Sequence, residues 1–226
     1  MKMHRLKALI FMKHHSERVP GKNYRRLCGK PLFHWILEAL NNSKYIEEII
    51  INTDSDLIAN DAQQHFEVTI HKRPAYLQGD MIIANQLIEY DISESYGDFY
   101  LQTHSTNPLL TTETINKAIE TFFSQSKHDS LFTVTQLQKR LYWPDGQPIN
   151  HDPNLLVRTQ DLSVVCEENS CIYIFSKNTF NACKNRIGSN PMLFPINRLE
   201  AVDIDDEFDF TIAELLMEKR IAKEII

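Results

Sequence analysis

The chain alternates short apolar runs with longer stretches in which apolar residues recur at helical spacing. The short runs are apolar without clean alternation, a pattern typical of strands that are buried on both faces of a parallel sheet. They predict six strands, at residues 8–12, 49–51, 68–70, 99–101, 131–134 and 171–175.

Helical patterns occupy residues 31–40, 56–66, 81–92, 111–123 and 206–221. Pro31 stands near the first turn of the first pattern, and Ser55 and Thr111 are candidate N-caps of the second and the fourth. Strands that alternate with helices predict right-handed βαβ units. We therefore predict an α/β fold, with a doubly wound, mostly parallel sheet and helices on both faces.

The alternation stops between residues 136 and 170. This stretch has no strong period, contains the turn-rich sequence WPDGQP at 143–148, and carries Tyr142 and Trp143 in a setting that looks exposed. We predict one domain over residues 1–226, with 136–170 as an excursion that serves as a lid or as a dimerisation arm.

Composition limits the class of protein. Of the 226 residues, 42% are hydrophobic and 24% are charged, which is ordinary for a globular protein with a sizeable core. The net charge of −6 argues against a nucleic-acid scaffold, because nucleic-acid-binding domains are usually basic. The apolar stretch at 8–12 is far too short for a signal peptide or a membrane span. We expect a cytoplasmic protein that binds neither nucleic acid nor membranes.

The four cysteines are Cys28, Cys166, Cys171 and Cys183. They form no CxxC pair and have no zinc-site spacing. We expect free, mostly buried thiols in a reducing compartment.

A basic stretch follows the first predicted strand. Residues 12–23 read MKHHSERVPGKN and concentrate Lys13, Arg18 and Lys22 in a chain that is otherwise acidic. Ligands of doubly wound sheets bind at this position, the carboxyl end of a strand. Because the stretch contains one glycine, it is neither a Walker A loop nor a dinucleotide fingerprint. We expect these three side chains, with backbone N–H groups around Ser16, to hold a polyphosphate; a solvated charged turn is the other interpretation.

Two aspartates, Asp203 and Asp205, flank Ile204 near the end of the chain. In an extended segment their side chains share a face while Ile204 points into the core. Neighbouring carboxylates suit Mg²⁺, which takes its other ligands from water and from the phosphates of a nucleotide. Asp206 and Asp209 have the spacing of helix caps, so we assign them to the start of the last helix.

Polar residues follow two further predicted strands. The sequence HSTNP at 104–108 follows the fourth strand, and its His104 and Thr106 either hydrogen-bond a substrate or close a tight turn. Arg73 follows the third strand and adds a cation at the ligand-binding edge. Together these residues predict a metal-dependent site that processes a nucleotide.

The order and spacing of these motifs resemble a known family. Over residues 7–218 the chain is similar to the cytidylyltransferases that activate acidic sugars, the acylneuraminate (CMP-sialic acid) synthetases and the 3-deoxy-manno-octulosonate cytidylyltransferases. The opening stretch matches the pattern P-A-R-x-x-S-K-x-x-x-x-K-N at Ser16, Lys22 and Asn23, whereas Lys13 replaces its arginine and Glu17 replaces its lysine. The run RVPGK at 18–22 resembles the octulosonate branch instead.

Further segments match the family in order: GKPL at 29–32, NTDS at 52–55, KRP at 72–74 with Leu77 and Asp80, HSTNPL at 104–109, RTQ at 158–160, NSCIYI at 169–174, and VDID at 202–205 with Asp209. The resemblance implies a Rossmann-like nucleotidyltransferase fold. It also implies a homodimer in which the excursion sends residues, with Arg158 as the candidate, into the partner's site.

The resemblance implies a reaction as well. The anomeric hydroxyl of a 2-keto sugar acid attacks the α-phosphate of CTP, pyrophosphate leaves, and a CMP-sugar remains. Catalytic roles are implied for Lys13, Arg18, Lys22, Asp203 and Asp205, of which the two aspartates would hold Mg²⁺. Nucleotide contacts are implied for Lys13, Ser16, Arg18, Lys22, Asn23, Arg73 and Asp80, and sugar-acid contacts for His104, Thr106, Arg158, Asn169 and Tyr173.

Departures from the family pattern fall on the sugar side, where His104 replaces glutamine, Cys171 replaces alanine and Glu167 replaces a basic residue. The acceptor is therefore open among sialic, legionaminic and pseudaminic acids, other nonulosonates and a different small acid such as a phosphonate.

A metal-dependent glycosyltransferase is an alternative, because Asp203 and Asp205 also form a D-x-D motif, although little chain follows for an acceptor domain. A non-catalytic nucleotide-binding module is another alternative, and Glu17 in the basic stretch is its best support.

Overall fold

The computed structural model describes residues 6–224, so residues 1–5 and 225–226 of the predicted domain lie outside the described part. The strands are β1 (Leu6–Met12), β2 (Arg26–Leu27), β3 (Lys30–Pro31), β4 (Ile46–Thr53), β5 (Thr69–Lys72), β6 (Phe99–Thr103), β7 (Ser130–Leu137), β8 (Val165–Ser176) and β9 (Pro191–Pro195). The helices are α1 (Leu32–Asn41), α2 (Asp56–His65), α3 (Ala84–Glu94), α4 (Thr112–Ser124), α5 (Lys177–Cys183) and α6 (Glu207–Ile221). Single turns of 3₁₀ helix lie at Ala75–Leu77 and Thr159–Asp161.

Seven strands form the main sheet, in the order β5-β4-β1-β6-β8-β7-β9. The pairs β1–β4, β1–β6, β4–β5 and β7–β9 are parallel, whereas β8 runs antiparallel to both of its neighbours. The predicted α/β class with a mostly parallel sheet is confirmed. β2 and β3 form a separate two-stranded ribbon.

The apolar run at 171–175, which we predicted as one more parallel strand, lies in the antiparallel strand β8. The excursion after β7 leads directly back into β8, so no helical crossover is needed between them. A strand in the middle of a sheet is buried on both faces whichever way it runs, and its composition therefore does not report its direction.

Helices cover both faces of the sheet, as predicted. On one face α1, α2 and α4 pack against side chains that include Ile10 and Ile51, and on the other face α3 and α5 pack against Leu9 and Ile50. Neighbouring residues of β1 and β4 thus point to opposite layers, as extended chains require. A third cluster joins α6 to the segment after β1 through Ile204, which is fully buried.

The predicted helix caps are confirmed. The side chain of Ser55 accepts a hydrogen bond from Ile58 N, and that of Thr111 accepts one from Thr114 N. Asp206 accepts hydrogen bonds from the backbone N–H groups of Phe208 and Asp209, in a capping box with Asp209. The helix predicted from residue 81 begins three residues later, at Ala84.

The four cysteines are unpaired, as predicted, but the expectation that most are buried is wrong. Cys171 is buried, Cys28 and Cys183 are partly buried, and Cys166 is exposed. Cys166 lies where β8 extends beyond the packed part of the sheet. In residues 6–224, no helix combines the length and the apolar character that crossing a membrane requires.

The excursion occupies residues 138–164, narrower than the predicted 136–170, because β7 continues to Leu137 and β8 begins at Val165. We call these residues the arm. Asn150 holds it together, since its side chain accepts a hydrogen bond from Leu141 N and donates to the carbonyl oxygens of Lys139 and Ser163. The arm exposes a set of apolar side chains: Tyr142, Trp143, Ile149, Leu155, Leu156, Val157 and Val164.

Candidate active site

A cleft of about 480 Å³ opens at the edge of the sheet where β1, β5 and β6 end. Segments that follow these strands supply most of its lining. Nine of the residues predicted from the sequence line it: Lys13, Ser16, Arg18, Lys22, Asn23, Arg73, Asp80, His104 and Thr106.

The basic loop, residues 13–24, contains a tight turn that begins at a buried residue. Val19 is completely buried, and Lys22 N donates a 3.1 Å hydrogen bond to its carbonyl oxygen. Gly21 adopts φ +66°, and a Cβ at this position would lie 2.8 Å from the ring of Tyr24. The turn therefore requires glycine for both its backbone conformation and its packing.

Asn23 fastens the basic loop to the segment after β6. Its side chain donates to Lys13 O at 2.9 Å and accepts from the hydroxyl of Ser105 at 2.7 Å. The residue is largely buried, so these hydrogen bonds are shielded from water. Asn23 thus positions the loop in addition to lining the cleft.

Two cations of the loop form ion pairs with exposed carboxylates. Lys13 Nζ lies 2.7 Å from Asp80 Oδ1, and Arg18 Nη2 lies 2.6 Å from Asp205 Oδ1. The hydrogen bond from Lys13 holds the pKa of Asp80 below its ordinary value. Exposed pairs of this kind are screened by water and stabilise a fold little, so an entering anion can displace them easily.

Lys22 joins the basic loop to the aspartate pair. Its Nζ donates a 2.6 Å hydrogen bond to Ile204 O. Burial lowers the pKa of Lys22, while the nearby charges of Asp203 and Asp205 act in the opposite direction. The loop cation and the two carboxylates are therefore close enough to interact electrostatically.

Asp203 and Asp205 differ in environment. Asp203 is mostly buried, and one of its oxygens, Oδ1, is buried without a hydrogen-bond partner. Burial raises the pKa of Asp203, with a further contribution from Asp205, and a hydrogen bond with the Thr106 side chain opposes the shift. Ile204 between them points into the core, as predicted, and its N–H donates to Thr106 O at 3.0 Å.

Arg73 is a buried cation at the floor of the cleft. Its Nε donates to Asn52 Oδ1 at 2.8 Å, and its Nη2 donates to Asn52 O at 3.0 Å. Asn52 in turn donates to the buried carboxylate of Asp91, which also contacts His71. Burial lowers the pKa of Arg73, and Asp91 is among the carboxylates whose charge opposes that shift. The guanidinium is thus held in one orientation by a buried polar network.

His104 lines the cleft, and a partly buried cation, Arg186, lies nearby. Gln102 connects them, because its Oε1 accepts from Arg186 Nη1 at 2.5 Å and its Nε2 is 3.0 Å from His104 Nε2. The guanidinium of Arg186 stacks 3.5 Å above the ring centre of Tyr173. Burial, with the charge of Arg186, lowers the pKa of His104 to about 4. The imidazole is therefore neutral at neutral pH and serves as a hydrogen-bonding group rather than as a cation.

Three predicted site residues lie away from the cleft in this chain. Arg158 is exposed on the arm and pairs with Asp161, with Nε 2.7 Å from Oδ2. Asn169 donates to Thr135 Oγ1 at 3.1 Å and stabilises the irregular register between β7 and β8. Tyr173 is fully buried, and its hydroxyl donates to Glu168. Their substrate contacts remain predictions.

The sequence did not identify Arg186 and Gln102 as site residues. Arg186 follows the short helix α5 in a stretch without periodicity, and Gln102 lies inside the apolar strand β6. Glu17, which we noted as a departure from the family pattern, also lines the cleft, as Asp80 does. Gln102 is a polar residue that is completely buried in a central strand, and this is the feature that marks it for attention. Its burial can be recognised only from the structure.

Comparison with known proteins agrees with this geometry. Residues 7–221 match the family described as cytidylyltransferase. CMP-N,N'-diacetyllegionaminic acid synthase of Legionella pneumophila is 31% identical over 231 residues, which cover 95% of this chain and 97% of that protein. The post-translational flagellin modification protein B of Campylobacter coli is 27% identical over 219 residues, which cover 91% and 92% of the two chains.

A solved structure shows the same fold. CMP:2-keto-3-deoxy-manno-octonic acid synthetase complexed with CTP has a TM-score of 0.69 to this chain, with 11% identity, over 96% of this chain and 99% of that one. The family match includes the segment with Asp203 and Asp205, so the D-x-D motif is part of a cytidylyltransferase sequence rather than evidence for a glycosyltransferase. With the basic loop, the aspartate pair and the mostly parallel sheet in place, the chain belongs to the cytidylyltransferase family.

Proposed function

We propose that this protein activates an acidic 2-keto sugar with CTP, giving a CMP-sugar and pyrophosphate. The observation that carries the proposal is that Lys13, Arg18 and Lys22 line one cleft and that two of them reach the aspartate segment beside it. Arg18 pairs with Asp205, and Lys22 donates to the carbonyl oxygen of Ile204, between the two aspartates. Relatives named for CMP-legionaminic acid synthesis and N-acylneuraminate cytidylyl transfer support this substrate class.

The basic loop and Arg73 would bind the triphosphate. Arg18 and Lys13 exchange their exposed carboxylate partners for phosphate oxygens, and Lys22 stays anchored on Ile204 O. Charge neutralisation and in-line positioning are sufficient for phosphoryl transfer, since no covalent enzyme intermediate is needed. The attacking oxygen forms a bond to the α-phosphorus while the bond to pyrophosphate breaks.

The aspartate pair fits a magnesium ion. Asp203 offers a buried oxygen that has no hydrogen-bond partner, and the exposed Asp205 lies close enough to raise its pKa. All-oxygen ligands of this type suit Mg²⁺, which would neutralise charge on the triphosphate and the leaving pyrophosphate. Lys22 lies near both carboxylates and holds the segment in register with the basic loop.

The acceptor would bind on the side of His104 and Arg186. A neutral imidazole offers hydrogen bonds to sugar hydroxyl groups, and the nearby guanidinium offers positive charge for the sugar's carboxylate. Thr106 lines the same part of the cleft. This arrangement favours a carboxylate-bearing sugar; a small phosphonate carries the same negative charge and is the second candidate.

We also propose a homodimer formed through the arm. The arm exposes Trp143 and Leu156, which are 59% and 87% accessible and are two of its seven exposed apolar side chains. Substitution of both by serine should convert the dimer to a monomer in size-exclusion chromatography with light scattering. The control is Tyr96→Ser, an exposed aromatic outside the arm, which should remain dimeric.

Four unpaired thiols fit a reducing, cytoplasmic compartment.

Thermal shift with CTP, UTP, ATP and GTP, each with and without Mg²⁺, tests the nucleotide half of the proposal without knowledge of the acceptor. A ligand that binds the folded state raises the melting temperature, so CTP with Mg²⁺ should give the largest shift. Pyrophosphate release with a panel of sialic, legionaminic and pseudaminic acids and small phosphonates then tests the acceptor. Release that requires no acid, or that occurs with a phosphonate alone, would contradict the sugar-acid assignment.

A further inference from the structure

A second group of metal-binding side chains lies outside the cleft, between α1 and α2. His34 belongs to α1, whereas Asp61 and His65 are four residues apart in α2 and therefore share one face of that helix. One ligand atom from each of the three residues lies within 4.8 Å of the other two. These residues take no part in the lining of the cleft.

The carboxylate of Asp61 lies between the two imidazole rings. Its Oδ1 is hydrogen-bonded to His34 Nε2 and is 3.5 Å from His65 Nδ1, which lies 2.8 Å from the backbone carbonyl oxygen of Asp61. The ring centres of the two histidines are 5.1 Å apart. Ligand atoms around a tetrahedral zinc ion are separated by roughly 3.3 Å, given metal–ligand bonds of about 2.0–2.1 Å. A bound ion would replace the hydrogen bonds that His34 and His65 make with Asp61, and side-chain rotation would give the ligand spacing that the ion requires.

The surroundings orient the group and leave it accessible. His34 is 7% exposed, and the rings of Phe33 and Phe66 pack edge-on against it at 4.6 and 5.0 Å between centres. His65 is exposed at the end of α2. One ligand is thus fixed by packing, while the opposite side is open to an entering ion and to a water molecule.

We propose that His34, Asp61 and His65 form a binding site for a divalent transition-metal ion. Two imidazoles and one carboxylate suit Zn²⁺, Ni²⁺ or Cu²⁺, whereas Mg²⁺ prefers a set of oxygen ligands. Three protein ligands with an open fourth position are a known arrangement for zinc. The ion would join α1 to α2 and stabilise the helix layer on that face of the sheet.

The site is separate from the cleft. Ser55, at the start of α2, contacts His14 of the basic loop, whereas His65 ends the helix. Ten residues of helix separate these two ends, a length of about 15 Å. Loss of the metal site should therefore leave the cytidylyltransferase reaction intact.

Zinc binding to the metal-free full chain tests the proposal, with Mg²⁺ in excess to occupy the aspartates of the cleft. In isothermal titration calorimetry the wild-type chain should bind one equivalent of Zn²⁺, and His65→Ala should weaken that binding by about 100-fold or more. Loss of a group that only orients a ligand already weakens metal binding by about 10–100-fold, so loss of a ligand should do at least as much. His128→Ala is the matched control, because His128 contacts only the Asn190 carbonyl among the described hydrogen bonds.

Two further readouts separate binding from folding. Zn²⁺ should raise the melting temperature of the wild type and of His128→Ala but not of His65→Ala. Because His65 is exposed, its replacement should not disturb the core, and pyrophosphate release should be unchanged. Equal zinc affinity of His65→Ala and wild type, or the absence of zinc binding by the wild type, would overturn the proposal.

Discussion

Asp205→Asn separates the proposed role of the aspartate pair from the stability of the fold. Asp205 is exposed and interacts with Arg18 at 2.6 Å, and 56% of its side chain is accessible. Substitution by asparagine keeps the shape of the side chain and removes its charge. The variant should fold normally and lose Mg²⁺-dependent turnover.

The expected effect on stability is small. An exposed ion pair contributes about 0–1 kcal/mol, and the amide oxygen of asparagine can still accept a hydrogen bond from Arg18. Removal of the charge also relieves the repulsion that contributes to the raised pKa of Asp203. For a chain of this size 1 kcal/mol corresponds to about 2–4 °C, so the melting temperature should change by no more than that.

The expected effect on activity is much larger. Removal of one group that stabilises charge in a transition state typically lowers kcat by about 10²–10³-fold. The assay is pyrophosphate release at saturating CTP over a series of Mg²⁺ concentrations. The concentration of Mg²⁺ that gives half-maximal turnover should rise, because one of the two proposed ligands is lost.

Glu89→Gln is the matched control. Glu89 pairs with Lys184 at 2.6 Å, and the two side chains are 58% and 65% accessible, close to the values for Asp205 and Arg18. The control should show the same small change in melting temperature and wild-type turnover. Unchanged turnover of Asp205→Asn would refute the metal assignment, and a drop of more than about 5 °C relative to the control would refute the stability argument.

Three further substitutions test other parts of the site and its support. The pKa of His104 is about 4 in the folded chain and 6.5 when unfolded, so the unfolded state binds more protons and stability should fall as pH drops from 6.5 to 4. In urea titrations across this range, His104→Gln should reduce that fall by up to about 3 kcal/mol. An identical pH profile would contradict a neutral imidazole at this position. Arg186→Met should raise the KM for the sugar acid by about tenfold or more, because it removes a charged hydrogen bond worth about 1.5–3 kcal/mol. The Kd for CTP should stay within about twofold. An equal loss of CTP binding would contradict the proposed place of Arg186 on the acceptor side. Gly188→Ala should destabilise the chain by about 1–3 kcal/mol in calorimetry, because a Cβ would overlap the carboxylate of Asp129. That carboxylate accepts hydrogen bonds from Ser189 N and Asn190 N. An unchanged melting temperature would show that this turn relaxes freely.

The sequence predicted which residues line the cleft because many of them lie at strand ends. Lys13 follows β1, Arg73 follows β5 and His104 follows β6, so the parallel sheet brings them to one edge whatever the details of packing. The same argument covers the aspartate pair only in part. An extended segment places two alternate carboxylates on one face, but the burial of Asp203 depends on contacts with Thr106 that are distant in the sequence.

Other elements were missed for definite physical reasons. β9 is an edge strand of five residues that begins and ends with proline, a composition that ordinarily argues against a strand. The first half of β8, with sequence VCEENS, is polar and largely exposed because it extends beyond the helix layers. Helix α5 spans seven residues, too few for a clear helical period. Arg186 reaches Gln102 of β6, 84 residues earlier in the chain, only through the tertiary fold, so no local pattern indicates this contact.

The pairing of charges within the cleft links nucleotide binding to cation binding. In the chain alone, Arg18 neutralises Asp205 and Lys13 neutralises Asp80. When Arg18 turns to a phosphate, Asp205 loses its ion-pair partner and shares the charge of Lys22 with Asp203, whose Oδ1 already has no hydrogen-bond partner. Two neighbouring carboxylates repel each other unless cations balance their charge. Phosphate binding by Arg18 should therefore increase the affinity of the aspartates for a divalent ion, and by reciprocity the ion should increase the affinity for CTP. Arg18→Gln should reduce this coupling, because Asp205 then has no arginine to release, and calorimetric titration of CTP with and without Mg²⁺ measures it directly.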